Sequence, residues 1–150
     1  MISTRKLNLF LLLKLPSAYF TGVRATYLDK EKCIVKVKHR WINQNPFKSM
    51  FWAVQGMAAE LTTGALMLVK IKESGEKISM LVANNKGAFT KKATGIITFE
   101  CNEGHKIEDV INKAIETGEG QTIWLNAIGR NEDGEDVSNF SFEWTIKVKS

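Results

Sequence analysis

Residues 41–70 read WINQNPFKSMFWAVQGMAAELTTGALMLVK, and between Ser49 and Val69 this stretch holds one charged side chain, Glu60. Apolar side chains fall on every face of a helix drawn through it, with Ala53, Gly56, Ala58, Ala59, Gly64 and Ala65 interspersed. Such a helix has to be covered on nearly all sides. In length, residues 50–69 match a hydrocarbon core of roughly 30 Å. Glu60 at their centre, with Gln55, Thr62 and Thr63 beside it, argues against a membrane span. The pattern predicts a buried central helix over 49–72 and leaves one question, what a lone carboxylate does inside it.

Outward from that helix the periodicity changes to 2. Val23, Ala25 and Tyr27 alternate with Arg24 and Thr26. After the turn at 29–32, CIVKVKHRW puts Cys33, Val35, Val37, His39 and Trp41 on one face and Lys36, Lys38 and Arg40 on the other. Beyond Ser74-Gly75, KISMLVANNKGAFTKKA and TGIITFECN read as two strands, the first bulged near residues 84–87. HKIEDVINKAIETG places Ile107, Val110, Ile111, Ala114 and Ile115 on one helical stripe that stops at Gly118. QTIWLNAIGR and VSNFSFEWTIKVK then form a hairpin around NEDGED.

The first residues, MISTRKLNLFLLLKLPSAYF, combine basic and apolar character as a signal peptide does, but Lys14 interrupts the run and no small-residue cleavage site follows. An amphipathic helix over 4–15, closed by Pro16 within an N-terminal helical segment 1–20, is the expectation. The element order becomes helix, two strands, long helix, two strands, short helix, two strands. One α+β domain over 1–150 results, a six-stranded antiparallel sheet curled around the long central helix, with the N-terminal helix added.

At 150 residues, 44% hydrophobic and 25% charged, the chain has enough apolar material for a single core, which excludes disorder. The net charge of +5 is unevenly spread: residues 1–50 carry ten Lys/Arg against two Asp/Glu, and residues 101–150 five against ten. The basic half offers cations to phosphates, whether of nucleic acid, membrane or a small molecule. Aromatic residues do not interleave with Lys36, Lys38 and Arg40 as in single-strand readers, so no nucleic acid is expected. Cys33 and Cys101 lack metal-ligand spacing and are too few for a disulfide scaffold. Reduced thiols, a cytoplasmic setting and no metal follow as expectations.

With these elements in hand, Trp41, Asn43 and Asn45 resemble a "W-x-N-x-N" motif, and Ala59, Glu60 and Gly64 a helical "A-E-x-x-x-G". GAFTKKATG is similar to an "x-x-F-x-x-P-A-x-x-G" strand. Together with the leading helix and the Asn45-Pro46 loop, these pieces resemble the hotdog-fold acyl-CoA thioesterases, in particular a thioesterase-like branch related to phenylacetyl-CoA and 4-hydroxybenzoyl-CoA thioesterases. The resemblance covers most of the chain and implies the hotdog fold, in which a curled sheet wraps a central helix.

It also implies site residues. Relatives of the phenylacetyl-CoA type carry an Asn fifteen residues before a helical acid, the separation of Asn45 and Glu60, so Glu60 falls on the catalytic carboxylate position. A carboxylate in an apolar helix has a raised pKa and can act as a general base on water or as a nucleophile. Asn45 would orient the water or the thioester, and the free backbone amides of Phe51 and Trp52 at the helix start would polarise the carbonyl. Where those relatives read H-G-G, this chain has Phe51-Trp52-Ala53. Phe47 and Met50 would line an acyl pocket, and Lys91 and Lys92 would border the CoA channel. CoA enters only as part of the substrate, with no separate cofactor, and the site is completed in a homodimer or dimer of dimers.

Each of these residues also has a plainer explanation. Glu60 could be a structural acid paired with His39, Asn45 an ordinary turn residue before proline, and the lysines solvated surface. The function expected is hydrolysis of an acyl-CoA or acyl-carrier thioester by carboxylate-activated water. A non-catalytic acyl or lipid binder is the alternative.

Overall fold

A computed structural model describes residues 2–150. The chain runs α1 (Thr4–Lys14), α2 (Pro16–Phe20), β1 (Arg24–Leu28), β2 (Cys33–Lys38), α3 (Trp52–Ser74), β3 (Ile78–Phe89), β4 (Ile96–Cys101), α4 (Ile107–Thr117), β5 (Gln121–Arg130) and β6 (Asp136–Val148). All six strands form one antiparallel sheet in the order β1-β2-β4-β5-β6-β3. It curls around α3 in the hotdog arrangement, and β1 and β3 are its edges.

The core forms where the sheet's inward residues meet α3. Val35, Val37, Ile97, Phe99, Leu125, Phe140, Trp144 and Ile146 pack with Val54, Ala58, Ala59, Leu61, Ala65 and Leu66. Full burial of a side chain such as Phe99 contributes about 1.5–3 kcal/mol relative to exposure. The small residues of α3 allow close approach. A Cβ added at Gly64 would stand 3.2 Å from the Trp144 ring, whose Nε1–H donates to Thr63 Oγ1 at 2.9 Å. Helix α3 ends at Gly75, which supplies the positive φ of 74° needed at its C-terminus.

Several local expectations are corrected. Helix α1 ends at Lys14, and Pro16 does not close a single helix but opens α2, because proline's missing N–H is tolerated at a first helical position. A register shift between Ala25 and Tyr27 turns Tyr27 outward, so it does not continue the buried face of Val23 and Ala25. Strand β2 stops at Lys38, and Trp41, 84% exposed, opens a short 3-10 turn, Trp41–Asn43. Buried Asn43 imposes this turn. Its Oδ1 accepts the Arg40 N–H at 2.8 Å, and its Nδ2 donates to the carbonyls of Thr21 and Lys38, each at 2.9 Å.

The bulge in β3 lies between Val82 and Asn84, just before the span expected for it. On α4, Ile107, Ile111 and Ala114 are buried as expected, whereas Ile115 is exposed. Cys33 and Cys101 are register partners across β2 and β4, both free and fully buried, and burial pushes each thiol up to about 12. Among the described residues no helix is long and apolar enough to cross a membrane.

Candidate active site

The sheet does not cover α3 completely. Positions three and four apart on a helix share a face, and Met57, Glu60, Leu61, Gly64 and Leu68 form such a row. This row, Phe10, Lys14, Leu15 and Ser17 of the N-terminal helices, and Met80 and Trp144 of the sheet enclose a cavity of about 480 Å³. Its size falls within the range of small-molecule sites, roughly 300–1,000 Å³.

Glu60 is half-buried in this cavity wall. Among the described residues its carboxylate has no hydrogen-bond or ion-pair partner. Burial therefore acts unopposed and raises its pKa above the ordinary value of 4.5. The structural alternative of a pair with His39 is not what the fold forms. The His39 backbone N–H donates to Gly95 O at 2.8 Å, and its Nε2 is buried without a partner. A carboxylate held partly out of water, with no cation within ion-pair distance, is suited to accepting a proton.

The other expected residues gather around a second cavity, about 470 Å³, at the start of α3. Asn45, Phe47, Met50, Phe51, Trp52, Lys91 and Lys92 all line it, and Glu60 does not. Here the polar groups are largely engaged with one another. Asn45 Oδ1 accepts from the N–H groups of Phe47 (2.9 Å) and Ser49 (3.2 Å), and its Nδ2 donates to Ser49 Oγ (3.0 Å) and Met50 O (3.3 Å). The amide thus closes a tight loop in which Lys48 holds a positive φ of 61°. Phe47 is exposed at the rim, and Met50 is buried in the base. Lys91 pairs with Glu135 at 2.7 Å, and Lys92 Nζ donates to Phe47 O at 3.3 Å.

At the helix start, the Phe51 N–H donates to Asn43 O at 2.9 Å and is occupied. Trp52, the first residue of α3, and Ala53 have backbone N–H groups without an acceptor among the described residues. They are the open donors that the first turn of a helix leaves. The free pair is therefore Trp52 and Ala53, displaced by one residue from the pair expected.

Gln55, which sequence patterning passed over, is 4% exposed in the wall of this cavity. Its Oε1 lacks a donor, and its Nε2 reaches Met50 O at 3.4 Å. A polar residue in an apolar helix near its N-terminus was the available signal. Lys14, Ser17 and Trp144 had none, since only the packing of α1, α2 and β6 around α3 brings them into one cavity with Glu60. Among the described residues no cluster of three or more His, Cys, Asp or Glu could hold a metal ion.

A curled antiparallel sheet around one long helix defines a hotdog-fold protein, here with a lone acid on that helix facing a cavity. Within that class the chain belongs to the family described as a domain of unknown function, DUF4442, whose model matches residues 4–146. No curated protein matches the sequence. Solved structures share the fold. A protein from Pseudomonas aeruginosa described as a probable thioesterase has a TM-score of 0.84 at 22% identity, with 99% of each chain covered. A protein of unknown function from Chlorobaculum tepidum reaches 0.85 at 17% identity, covering 97% of this chain and 94% of that one. A thioesterase from Haemophilus influenzae reaches 0.74 at 11% identity, covering 99% and 92%.

Proposed function

We propose that the protein hydrolyses an acyl thioester carried by CoA or by a carrier protein, with Glu60 as general base. The observation that carries this proposal is the unpaired carboxylate of Glu60 in a largely apolar cavity. The Glu60 carboxylate takes a proton from water as the water oxygen bonds to the thioester carbon. The tetrahedral intermediate then expels the sulfur, the C–S bond breaks, and the proton passes from Glu60 to the departing thiolate. Acid and free thiol are the products.

The oxyanion formed on the way needs donors, and the open amides of Trp52 and Ala53 are the groups suited to it. In one chain they border the other cavity. A homodimer resolves this separation, with the amides of a second copy facing Glu60 of the first. Two features support such pairing. Phe47, Phe51 and Trp52 are exposed around the helix start, an apolar surface that favours being covered. Strand β3 pairs only with β6 and presents a free edge of twelve residues. Asn45 serves in this scheme by holding the loop that carries Phe47 and Met50, and Lys91 and Lys92 stand at the rim where CoA phosphates would pass.

The test is thiol release from a panel of acyl-CoAs by the wild type and Glu60→Gln at equal folded concentration. Turnover by the wild type that collapses in the variant is expected. No turnover by either across CoA and carrier thioesters overturns the proposal. The second reading, an acyl binder without turnover, is favoured by one specific feature: Phe51-Trp52-Ala53 stands where the relatives carry H-G-G. That reading predicts binding of acyl-CoA without hydrolysis.

A further inference from the structure

The acyl group itself is written into the walls beside Glu60. Apart from Lys14, Ser17 and Glu60, every residue lining that cavity has an apolar side chain or, at Gly64, none. No polar side chain beyond these three is available to meet a ring hydroxyl or a second carbonyl on the acyl group. A hydroxyl buried against the apolar part of the wall, out of reach of these three, lowers affinity roughly tenfold or more.

The walls also differ in stiffness. The floor is rigid, because Trp144 is held by its hydrogen bond to Thr63 and lies against Gly64. The sides are not. Met57, Leu68 and Met80 are half-buried, and methionine's unbranched side chain adapts to irregular shapes. Two aromatic residues line this cavity, Phe10 of α1 and Trp144 of β6, and neither packs ring to ring with another aromatic residue. The remaining apolar wall, chiefly Leu11, Leu15, Met57, Leu61, Leu68 and Met80, is aliphatic and matches the surface of a hydrocarbon chain.

We infer that the cavity between the N-terminal helices and α3 receives an unbranched aliphatic acyl chain, with Met57 helping to set the length accepted. This inference rests on the thioesterase proposal only for the position of the thioester at Glu60. The chain site stands on the cavity's composition.

The experiment is calorimetric binding of acetyl-, butyryl-, octanoyl-, lauroyl- and palmitoyl-CoA to the Glu60→Gln protein, with free CoA, phenylacetyl-CoA and 4-hydroxybenzoyl-CoA for comparison. Affinity is expected to rise about fourfold per added methylene until the cavity is full, then level off. Both aromatic thioesters should bind more weakly than octanoyl-CoA. In the same background Met57→Trp should move the plateau to shorter chains and Met57→Ala to longer ones, opposite shifts that a general loss of packing would not produce. Affinity independent of chain length, or tighter binding of 4-hydroxybenzoyl-CoA than of octanoyl-CoA, overturns the inference. Chain-dependent binding with no turnover by wild type removes the hydrolysis proposal and supports this one. Turnover of aromatic thioesters without chain dependence does the reverse.

Discussion

The two cavities along α3 are nearly equal in volume, about 480 and 470 Å³, and opposite in their chemistry. At the helix start, Asn45, Ser49, Lys91 and Lys92 spend their polar atoms on neighbours, and the result is a closed loop and a braced rim. In the middle of the helix, Glu60 faces a largely apolar space, and its carboxylate has no hydrogen-bond or ion-pair partner among the described residues. A satisfied network stabilises the fold, and a buried group left open costs stability that a catalytic role would explain. The open groups at the helix start, the Trp52 and Ala53 amides and Gln55 Oε1, are the exceptions that tie that cavity to the same chemistry.

The largest effect that can break this contrast is Glu60→Gln. It should lower kcat by roughly 10²–10⁴-fold, the usual worth of a general base, without loss of the folded state measured by circular dichroism. Next comes Trp52→Pro. Proline is tolerated at a first helical position, and Phe51 already has the extended backbone, φ −61° and ψ 137°, that must precede it. The N–H is lost together with the indole, so Trp52→Ala, which removes only the indole, is the reference, and relative to it kcat should fall by roughly 10²–10³-fold with little change in Tm. An unchanged kcat would remove the helix start from the reaction.

Asn45→Ala should act on stability instead, by about 1–3 kcal/mol in urea unfolding, because the Phe47 and Ser49 amides lose their acceptor. If its kcat per folded molecule fell as far as that of Glu60→Gln, Asn45 would belong to the chemistry and the contrast would fail. Lys91→Ala should change stability by no more than about 1 kcal/mol, since the Lys91–Glu135 pair is exposed.

The pH dependence sharpens the same point. The folded pKa of Glu60 lies above its unfolded value, so the folded state holds the proton more tightly. Stability is then greatest below the unfolded pKa, declines as pH rises towards the folded pKa, and stays lower beyond it. Activity runs the other way, because only the ionised base accepts a proton. kcat/KM should rise through a pKa above 4.5, and the stability difference between Glu60→Gln and wild type should grow in favour of the variant over the same window. Parallel pH profiles of stability for the two proteins would show that Glu60 does not titrate with a shifted pKa.

Much of this was legible in the chain. Strict alternation in CIVKVK and in FSFEWTIKV, the all-apolar run of α3 and the stripe of α4 each admit one secondary structure, so the order of elements and the curled sheet followed from periodicity. Glu60 stood out because burying a charge is costly enough that its presence in such a helix demands a reason. Asn43 stood out only as one position of the W-x-N-x-N resemblance, not as the residue that ends β2. Its hydrogen bonds to Arg40 and Lys38 are local, but the one to Thr21 O joins it to a residue 22 positions earlier, and together they end β2 and turn Trp41 into solvent.

The sequence by itself determined the six strands, the long central helix, their order and the singular acid, because periodicity and the cost of burial act locally along the chain. Only the tertiary structure decided that Glu60 shares its cavity with Lys14 and Trp144 rather than with Asn45, and that the Phe51 amide is occupied while those of Trp52 and Ala53 are open. Cavities and hydrogen bonds join residues that are distant in the chain, and no local pattern encodes which of them meet.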